Sequence, residues 1–447
     1  MSIKEGLRVG LNEIRETSIQ DNTLYAKYIN EIMPDTDIGT FGAPLLAMPE
    51  LMNEFIQRLV QRIAYTSIET KLFNNPLKVL DGDRIPLGSI GQEIYINPAK
   101  GRRFNVDDFA GLLAKYEADI KVQYPHLNSD LQYPVTITRA KIKDAFVSWD
   151  NLESFIAGIT QSLYNGSYID RYNMTKGLVA SAYANNNVQI EVINAISSEA
   201  YAKAFITKAR EIYLNMQTPT SRYNAWAKVG GYGRDIITWS NKEDIVFLIR
   251  NDLASYIDVN VLASAFNVDK SVLLGNIIYV NDFNEYDNEG NVVFDGSSIV
   301  GMIADKRWFR IKDQELTMDE FYNANNRTWQ LYLNDVRMYA YSLFANAVVF
   351  ATEMPTVTAT KIEFVNDDLV ELTEGAETTR KVVLTPVNAT SSVTFTSSDA
   401  TIVKATKIDD RTVKLEGIGT DADAVTITAS CETSLTDTIQ AKCVAGT

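Results

Sequence analysis

Histidine occurs once in this chain of 447 residues, as His126, and cysteine twice, as Cys431 and Cys443. One imidazole and two tail thiols exclude a His-based triad, a HExxH helix and a His/Cys metal site. No GxxxxGK[ST] phosphate loop is present, and no GxGxxG follows a predicted strand. No run approaches the ~20 apolar residues of a membrane helix. The opening stretch MSIKEGLRVGLNEIRE lacks the apolar core of a secretory signal, so the expectation is a chain made and first folded in a cytosol, without a membrane partner. Excess positive charge is missing as well: net charge is −15, divided as −9 up to residue 355 and −6 beyond it. Adhesive nucleic-acid binding needs clustered Lys and Arg. The densest basic group, Lys100, Arg102 and Arg103, reads as a solvated turn.

The remaining candidates for chemistry are weak. GGYG (230–233) reads as a flexible turn, and DNEGN (287–291) as a polar hairpin tip without calcium-loop spacing. The adjacent carboxylates Asp107-Asp108, Asp367-Asp368 and Asp409-Asp410 would point apart on a strand, which does not suit paired acid/base work. The sequence therefore assigns no catalytic, cofactor-binding or metal-binding residue, and the chain reads as a non-enzyme with no cofactor.

Aromatic residues are scarce in one region only. Of 45 in the chain, 43 precede residue 356; the last 92 residues hold only Phe364 and Phe395, while Thr fills 20 of those positions. Composition does not shift like that within one core. We read an aromatic-rich body followed by a Thr-rich β module over 356–447. Seven short alternating strands in that length predict a β-sandwich. The spacing of Cys431 and Cys443 would place them on neighbouring strands of a hairpin, and in a cytosolic product they are expected as reduced thiols.

Along the body, residues 1–48 gather Pro34, Gly39, Gly42 and Pro44 and read as an irregular, extended arm. PELMNEFIQRLVQRIA (49–64) predicts a helix, with Leu51, Phe55, Leu59 and Ile63 on one stripe. Residues 67–140, interrupted by Pro76, Pro86, Pro98, Pro125 and Pro134, hold short strands such as 93–97 and 133–138, with one short helix near 106–118. Such a segment is either a mobile loop or packs on another chain. Ala145 to Trp149 read as a short strand, with Asp150 and Glu153 as a capping pair for the stripe Leu152, Phe155, Ile156, Ile159 and Leu163. Asn165-Gly166 leaves two helices or one long helix over about 150–184 open, because a mid-helix Gly costs only ~1 kcal/mol. After Asn185–Asn187 the pattern turns α/β. A helix over 198–216 has Tyr201, Phe205, Ile212 and Met216 inward, and strands follow at 244–249, 276–280, 298–304 and 307–311. In 328–351 the apolar alternation of Trp329, Leu331 and Leu333 shifts by one to Val336, Met338 and Ala340, which predicts a β-bulge at Asn334-Asp335.

The stretch KDAFVSWDNLESFIAGITQSLYNGS (143–167), with NNPLK (74–78), IPLG (85–88), DVNVLASAFN (258–267), LLGN (273–276) and SLFANAVVF (342–350), resembles the major capsid proteins of phi-29-like small tailed phages (podoviruses) of Gram-positive bacteria. The resemblance covers residues 70–350. It implies an α+β fold of HK-97 type: an N-terminal arm (1–48), an extended loop (about 67–140), a peripheral domain on a spine helix (about 150–184), an axial domain (about 188–325) and a peripheral return strand (328–351), within a body of 49–355. It also favours one long spine helix. VTFTSSDATIVKAT (393–406) and LEGIGTDADAVTITAS (415–430) resemble bacterial immunoglobulin-like domains of group 2, although Phe395 stands where that family usually has Trp.

What the resemblance implies is a virion structural protein that self-assembles in the host bacterial cytoplasm into the icosahedral or prolate head shell around packaged double-stranded DNA. Its partners would be itself, in pentameric and hexameric capsomers, a scaffolding protein, the portal or connector, and head fibres. DNA would be enclosed without sequence-specific binding. The tail would face outward as a clamp or decoration, both favoured over sugar binding because aromatic platforms are missing. The other readings are a cell-surface, adhesin-like protein, which would need a secretion signal and wall anchor, an enzyme with a binding module, and an encapsulin-type compartment.

Overall fold

The computed structural model describes residues 4–65, 72–86, 91–102, 114–229, 235–253, 276–287, 290–421, 423–431 and 434–445. The helices in chain order are α1 (Glu5–Gln20), α2 (Leu24–Tyr28), α3 (Ile38–Ala47), α4 (Pro49–Tyr65), α5 (Arg139–Ala145), α6 (Trp149–Ala184), α7 (Glu199–Met216) and α8 (Trp226–Val229). The body strands are β1 (Glu93–Ile96), β2 (Ile120–Gln123), β3 (Ser129–Thr138), β4 (Gln189–Val192), β5 (Ile245–Arg250), β6 (Ile277–Val280), β7 (Glu285–Tyr286), β8 (Val292–Phe294), β9 (Ile299–Asp305), β10 (Phe309–Asn323), β11 (Thr328–Tyr341) and β12 (Ala347–Ala351). The tail adds β13 (Lys361–Phe364), β14 (Val370–Thr373), β15 (Glu377–Thr385), β16 (Val393–Ser397), β17 (Val403–Asp409), β18 (Thr412–Gly417), β19 (Val425–Cys431) and β20 (Thr436–Val444). These elements form two compact units, one of Met1–Gly91, Pro125–Thr175 and Arg310–Ala340, the other of Gln92–Tyr124, Lys176–Phe309 and Tyr341–Thr447.

In the first unit a sheet of order β10-β11-β3 packs against helices. The first 48 residues are not the irregular arm that their Gly and Pro content predicts. They form α1, α2 and α3, and Leu11, Ile14, Tyr25, Ile32, Phe41 and Leu45 are buried in one core with Phe55, Trp149 and Trp329. Rings hold this region together: Phe41 stacks on Trp149 and meets Phe55 edge-on. Pro44 lies inside α3, and Gly42 leaves room for the Phe146 ring, 3.0 Å from where a Cβ would stand. α4 buries Leu51, Met52, Phe55, Ile56 and Leu59, as its stripe predicts.

The expected strand at 145–149 is absent. Ala145 ends α5, and Trp149 begins α6, with the Ser148 hydroxyl accepting from Asn151 N at 3.1 Å. α6 is a single helix of 36 residues. Gly166 does not end it; a Cβ there would lie 3.1 Å from Tyr133 Cδ1, so the glycine lets β3 approach closely. β3, within the segment expected to lack a core, pairs with β11 over ten residues and buries Ile137. The expected bulge at Asn334-Asp335 is absent from the pairing of β11 with β3. The register runs unbroken from Thr328↔Thr138 to Arg337↔Ser129. The apolar alternation breaks because Asp335 and Arg337, not apolar residues, occupy the inward positions.

The second unit centres on a sheet of order β4-β12-β9-β5-β6. β5 is buried along Ile245–Ile249, pairing parallel with β6 and antiparallel with β9, as an unbroken β-branched run predicts. Ser198 caps α7, which buries Phe205, Ile212 and Met216 on this sheet, whereas Tyr201 faces solvent. The short helix expected near 106–118 falls mainly outside the described residues, and 114–119 is not helical.

Among its described residues the tail has eight strands, where seven were expected, in two sheets of order β13-β15-β18-β17 and β14-β20-β19-β16. Ile362, Leu384, Val393, Leu415, Ile427 and Ile439 fill the space between them. Cys431 and Cys443 are free and buried on neighbouring strands. They do not face each other: Cys431 pairs with Val393 and Cys443 with Leu372. The register of β19 on β20 sets them about eight residues apart, or roughly 26 Å at ~3.3 Å per residue, beyond disulfide reach.

Candidate functional site

The residues weighed for chemistry are scattered. His126 is exposed in the turn before β3. Asp367 and Asp368 are exposed in the β13–β14 turn, and Asp410 pairs with Lys407 beside the β17–β18 turn. Lys100 and Arg102 are exposed, with the Arg102 guanidinium 5.4 Å from the Tyr116 ring centre. In the β7–β8 hairpin tip, Gly290 takes the left-handed φ of 86° that a tight turn needs. GGYG, Arg103 and Asp107-Asp108 lie outside the described residues. Among the described residues no group of His, Cys, Asp and Glu is placed to hold a metal, and no helix is long and apolar enough to cross a membrane.

Two arrangements stand out instead. The first is the ribbon β1–β2, paired as Ile94↔Val122, Tyr95↔Lys121 and Ile96↔Ile120. Its polar side chains turn toward the chain's own body. Ser342 Oγ donates to Glu93 at 2.8 Å, Tyr95 OH to Ile237 O at 2.5 Å, and Gln123 Nε2 to Tyr341 O at 2.8 Å. The Lys121 ammonium lies 5.6 Å from the Trp226 ring centre. The apolar side chains face out: Ile94 is 54% exposed, Ile96 59% and Ile120 52%. A two-sided strand normally buries its apolar face. Here hydrogen-bond partners within the body fix the polar face inward and leave three isoleucines in water. The alternation of EIYIN marks a strand but does not say which face is covered, so sequence reading misses this inversion.

The second is a buried charge network in the first unit. Arg171, on α6, grips Asp335 of β11 side-on, with Nε to Oδ2 and Nη2 to Oδ1 both at 2.8 Å. Ser167 Oγ donates to Asp335 Oδ2 at 2.8 Å. Arg337, two residues on, bonds Asp81 at 3.1 Å and also Asp313, and its Nη1 donates to Tyr339 OH at 3.3 Å. Burial raises the Asp81 carboxyl despite Arg337. Burial works against the charged form of Arg337, but its bond to Asp313 and the charge of Asp81 outweigh it and raise its pKa. Such a network fixes how β11 sits on α6 and on the segment around Asp81, because each charge is costly when unpaired. The misplaced bulge was its sequence signal: a polar pair where apolar alternation should continue.

Neither arrangement contains a nucleophile beside a base or an open metal position. What they provide is a charge-paired frame in the first unit and an uncovered apolar edge on the ribbon. A superposition on the capsid structure of Staphylococcus phage Andhra gives a TM-score of 0.52 at 14% identity, covering 64% of this chain and 88% of that one. The fold is thus the HK97-type fold of tailed-phage capsid subunits. Residues 11–351 match the profile of Phi29-like phage major capsid proteins, and the chain belongs to that family. It is 28% identical over 354 residues to the major capsid protein of Bacillus phage B103, covering 78% of this chain and 74% of that one. It is 27% identical over 306 residues to that of Streptococcus phage Cp-1, covering 66% and 81%. It is therefore a structural subunit of a phage head shell, and the cell-surface reading is not favoured.

Proposed function

We propose that the subunit joins its neighbours chiefly through the apolar face of the β1–β2 ribbon, within capsomers of five and six copies. The carrying observation is the outward face of Ile94, Ile96 and Ile120 on a ribbon whose polar side is already satisfied. Each is about half exposed, so covering it on another copy contributes ~1–1.5 kcal/mol before association costs. The acidic chain leaves packaged double-stranded DNA free to slide inside the shell, since adhesion would need clustered cations. A scaffolding protein and a portal would set curvature and start, and head fibres would attach outside. The work of the chain is structural, not enzymatic.

The tail sandwich is read as an immunoglobulin-like module on the outer face, serving as a clamp or decoration. The arm, extended-loop, peripheral and axial divisions are read on the family layout, with a helical arm, with β3 and β10 counted in the first unit, and with the return segment divided into β11 and β12. The experiment is sedimentation and negative-stain microscopy of the purified chain, with and without a co-expressed scaffolding protein. Regular shells of megadalton mass support the reading. An Ile94→Asp/Ile96→Asp/Ile120→Asp chain should fold and stay dispersed. Normal shells from that variant would overturn the role of the ribbon.

A further inference from the structure

The run Asn185-Asn186-Asn187 ends α6, and its backbone does what a helix terminus requires. Asn186 N donates to Tyr183 O and Asn187 N to Ala182 O, both at 2.8 Å, with Asn186 at the left-handed φ of 50° that asparagine tolerates. Termination does not account for the other contacts. Asn186 Nδ2 donates to Asn388 O at 2.9 Å, in the loop between β15 and β16 of the tail. Asn388 Nδ2 returns the contact to Asn187 Oδ1 at 2.7 Å and to Asn185 O. From the body side, Lys228 Nζ donates to Asn186 Oδ1 at 2.7 Å and Val188 O at 2.8 Å, while Asn187 Nδ2 donates to Tyr341 OH at 2.8 Å. The Asn186 amide is therefore engaged at both ends, one by the body and one by the tail.

The covalent connection is pinned independently. Glu353, just after β12, accepts at its carbonyl from Tyr183 OH at 2.9 Å and at its carboxylate from Ser298 Oγ at 2.5 Å. Val357 exchanges backbone and side-chain bonds with Thr390, two residues from Asn388. Only Met354, Pro355 and Thr356 lie between these points; Pro355 is buried and its ring restricts the backbone. Three residues span at most ~11 Å.

We propose that the three-asparagine end of α6 is a socket that locks the tail module in one orientation, so that the module is a rigid extension of each subunit and not a tethered appendage. The occupant is the Asn388 loop of the same chain, recognised by amide–amide and amide–carbonyl pairing.

The test is a spin-label distance across the joint in the full chain, from an exposed body position (Lys203→Cys) to an exposed tail position (Asp368→Cys). The unaltered joint should give one narrow distribution. N186G keeps the left-handed backbone and N388A leaves the tail core untouched; together they should broaden it, because losing these bonds raises the released population about ten- to a hundredfold. K228M disturbs the socket from the body side alone and should broaden it less. A broad distribution in the unaltered chain, or a narrow one in the double variant with its tail still folded, overturns the proposal.

Discussion

Replacing Asp335 with Leu should be among the most destabilising single changes in the first unit. The Asp335 side chain is 4% exposed and that of Arg171 12%, so the pair has little solvent to fall back on. Asp335→Leu strips Arg171 of two bonds at 2.8 Å and Ser167 of its acceptor. Leaving a buried guanidinium unpaired costs ~3–5 kcal/mol. Arg171→Met should cost somewhat less, ~2–4 kcal/mol, because Asp335 keeps Ser167 and has Arg337 at 3.9 Å. The double variant removes both desolvation penalties and fills the space with apolar atoms, so its cost should fall to ~1–3 kcal/mol, well short of the sum. Native-state hydrogen exchange of the β11 amides from Leu331 to Arg337 measures all three opening free energies in the unassembled chain. Costs that add to within ~0.5 kcal/mol would refute the account. Singles below ~1 kcal/mol would do the same, since the network would then be a passive surface feature.

Other consequences are testable more simply. Burial raises the Glu320 carboxyl to about 7, and its Oε2 has no hydrogen-bond partner. The folded form therefore binds more protons than the unfolded chain, where a Glu titrates near ~4.3, so stability should fall as pH rises from about 4.5 to 7. Glu320→Gln should flatten that slope and add ~1–2 kcal/mol at pH 8, discounted for partial exposure, in denaturant titrations at the two ends of the window. Gly177→Val, which would push a side chain into Glu285, 2.9 Å from the Cβ position, should lower the melting temperature by several degrees. Cys431 and Cys443 should stay unlinked under mild oxidation of the folded chain, read by mass and non-reducing electrophoresis; an intramolecular bridge would contradict the tail register.

Much of the fold is legible in the sequence because long stripes carry it. α4, α6, α7 and β5 each repeat apolar residues at the period of their structure. The helical N-terminus is missed for a local reason. Leu7, Leu11 and Ile14 have helical spacing, but the Pro34–Pro44 cluster dominates the reading, and its cost is offset by tertiary packing of Gly42 on Phe146 and Phe41 on Trp149. The charge network was visible only as a defect in β11, because the partners of Asp335 and Arg337 stand far away in the chain at Ser167, Arg171, Asp81 and Asp313. Likewise the outward isoleucines of the ribbon depend on Ser342, Ile237 and Tyr341 claiming its other face.

The ribbon also bears on how a shell avoids mistakes. If the ribbon is the proposed contact, its three half-exposed isoleucines cover a gross ~3–5 kcal/mol, at or below the ~4–15 kcal/mol of freedom lost when two bodies associate. A single pair formed this way dissociates readily, so a misplaced subunit leaves before the next arrives. Only when a ring closes and each copy is held on several sides does release become slow. The net charge of −15 adds mutual repulsion that salt screens. Growth should therefore show a lag and a sharp concentration threshold that moves lower as ionic strength rises, with reversibility at the edge as the proofreading step.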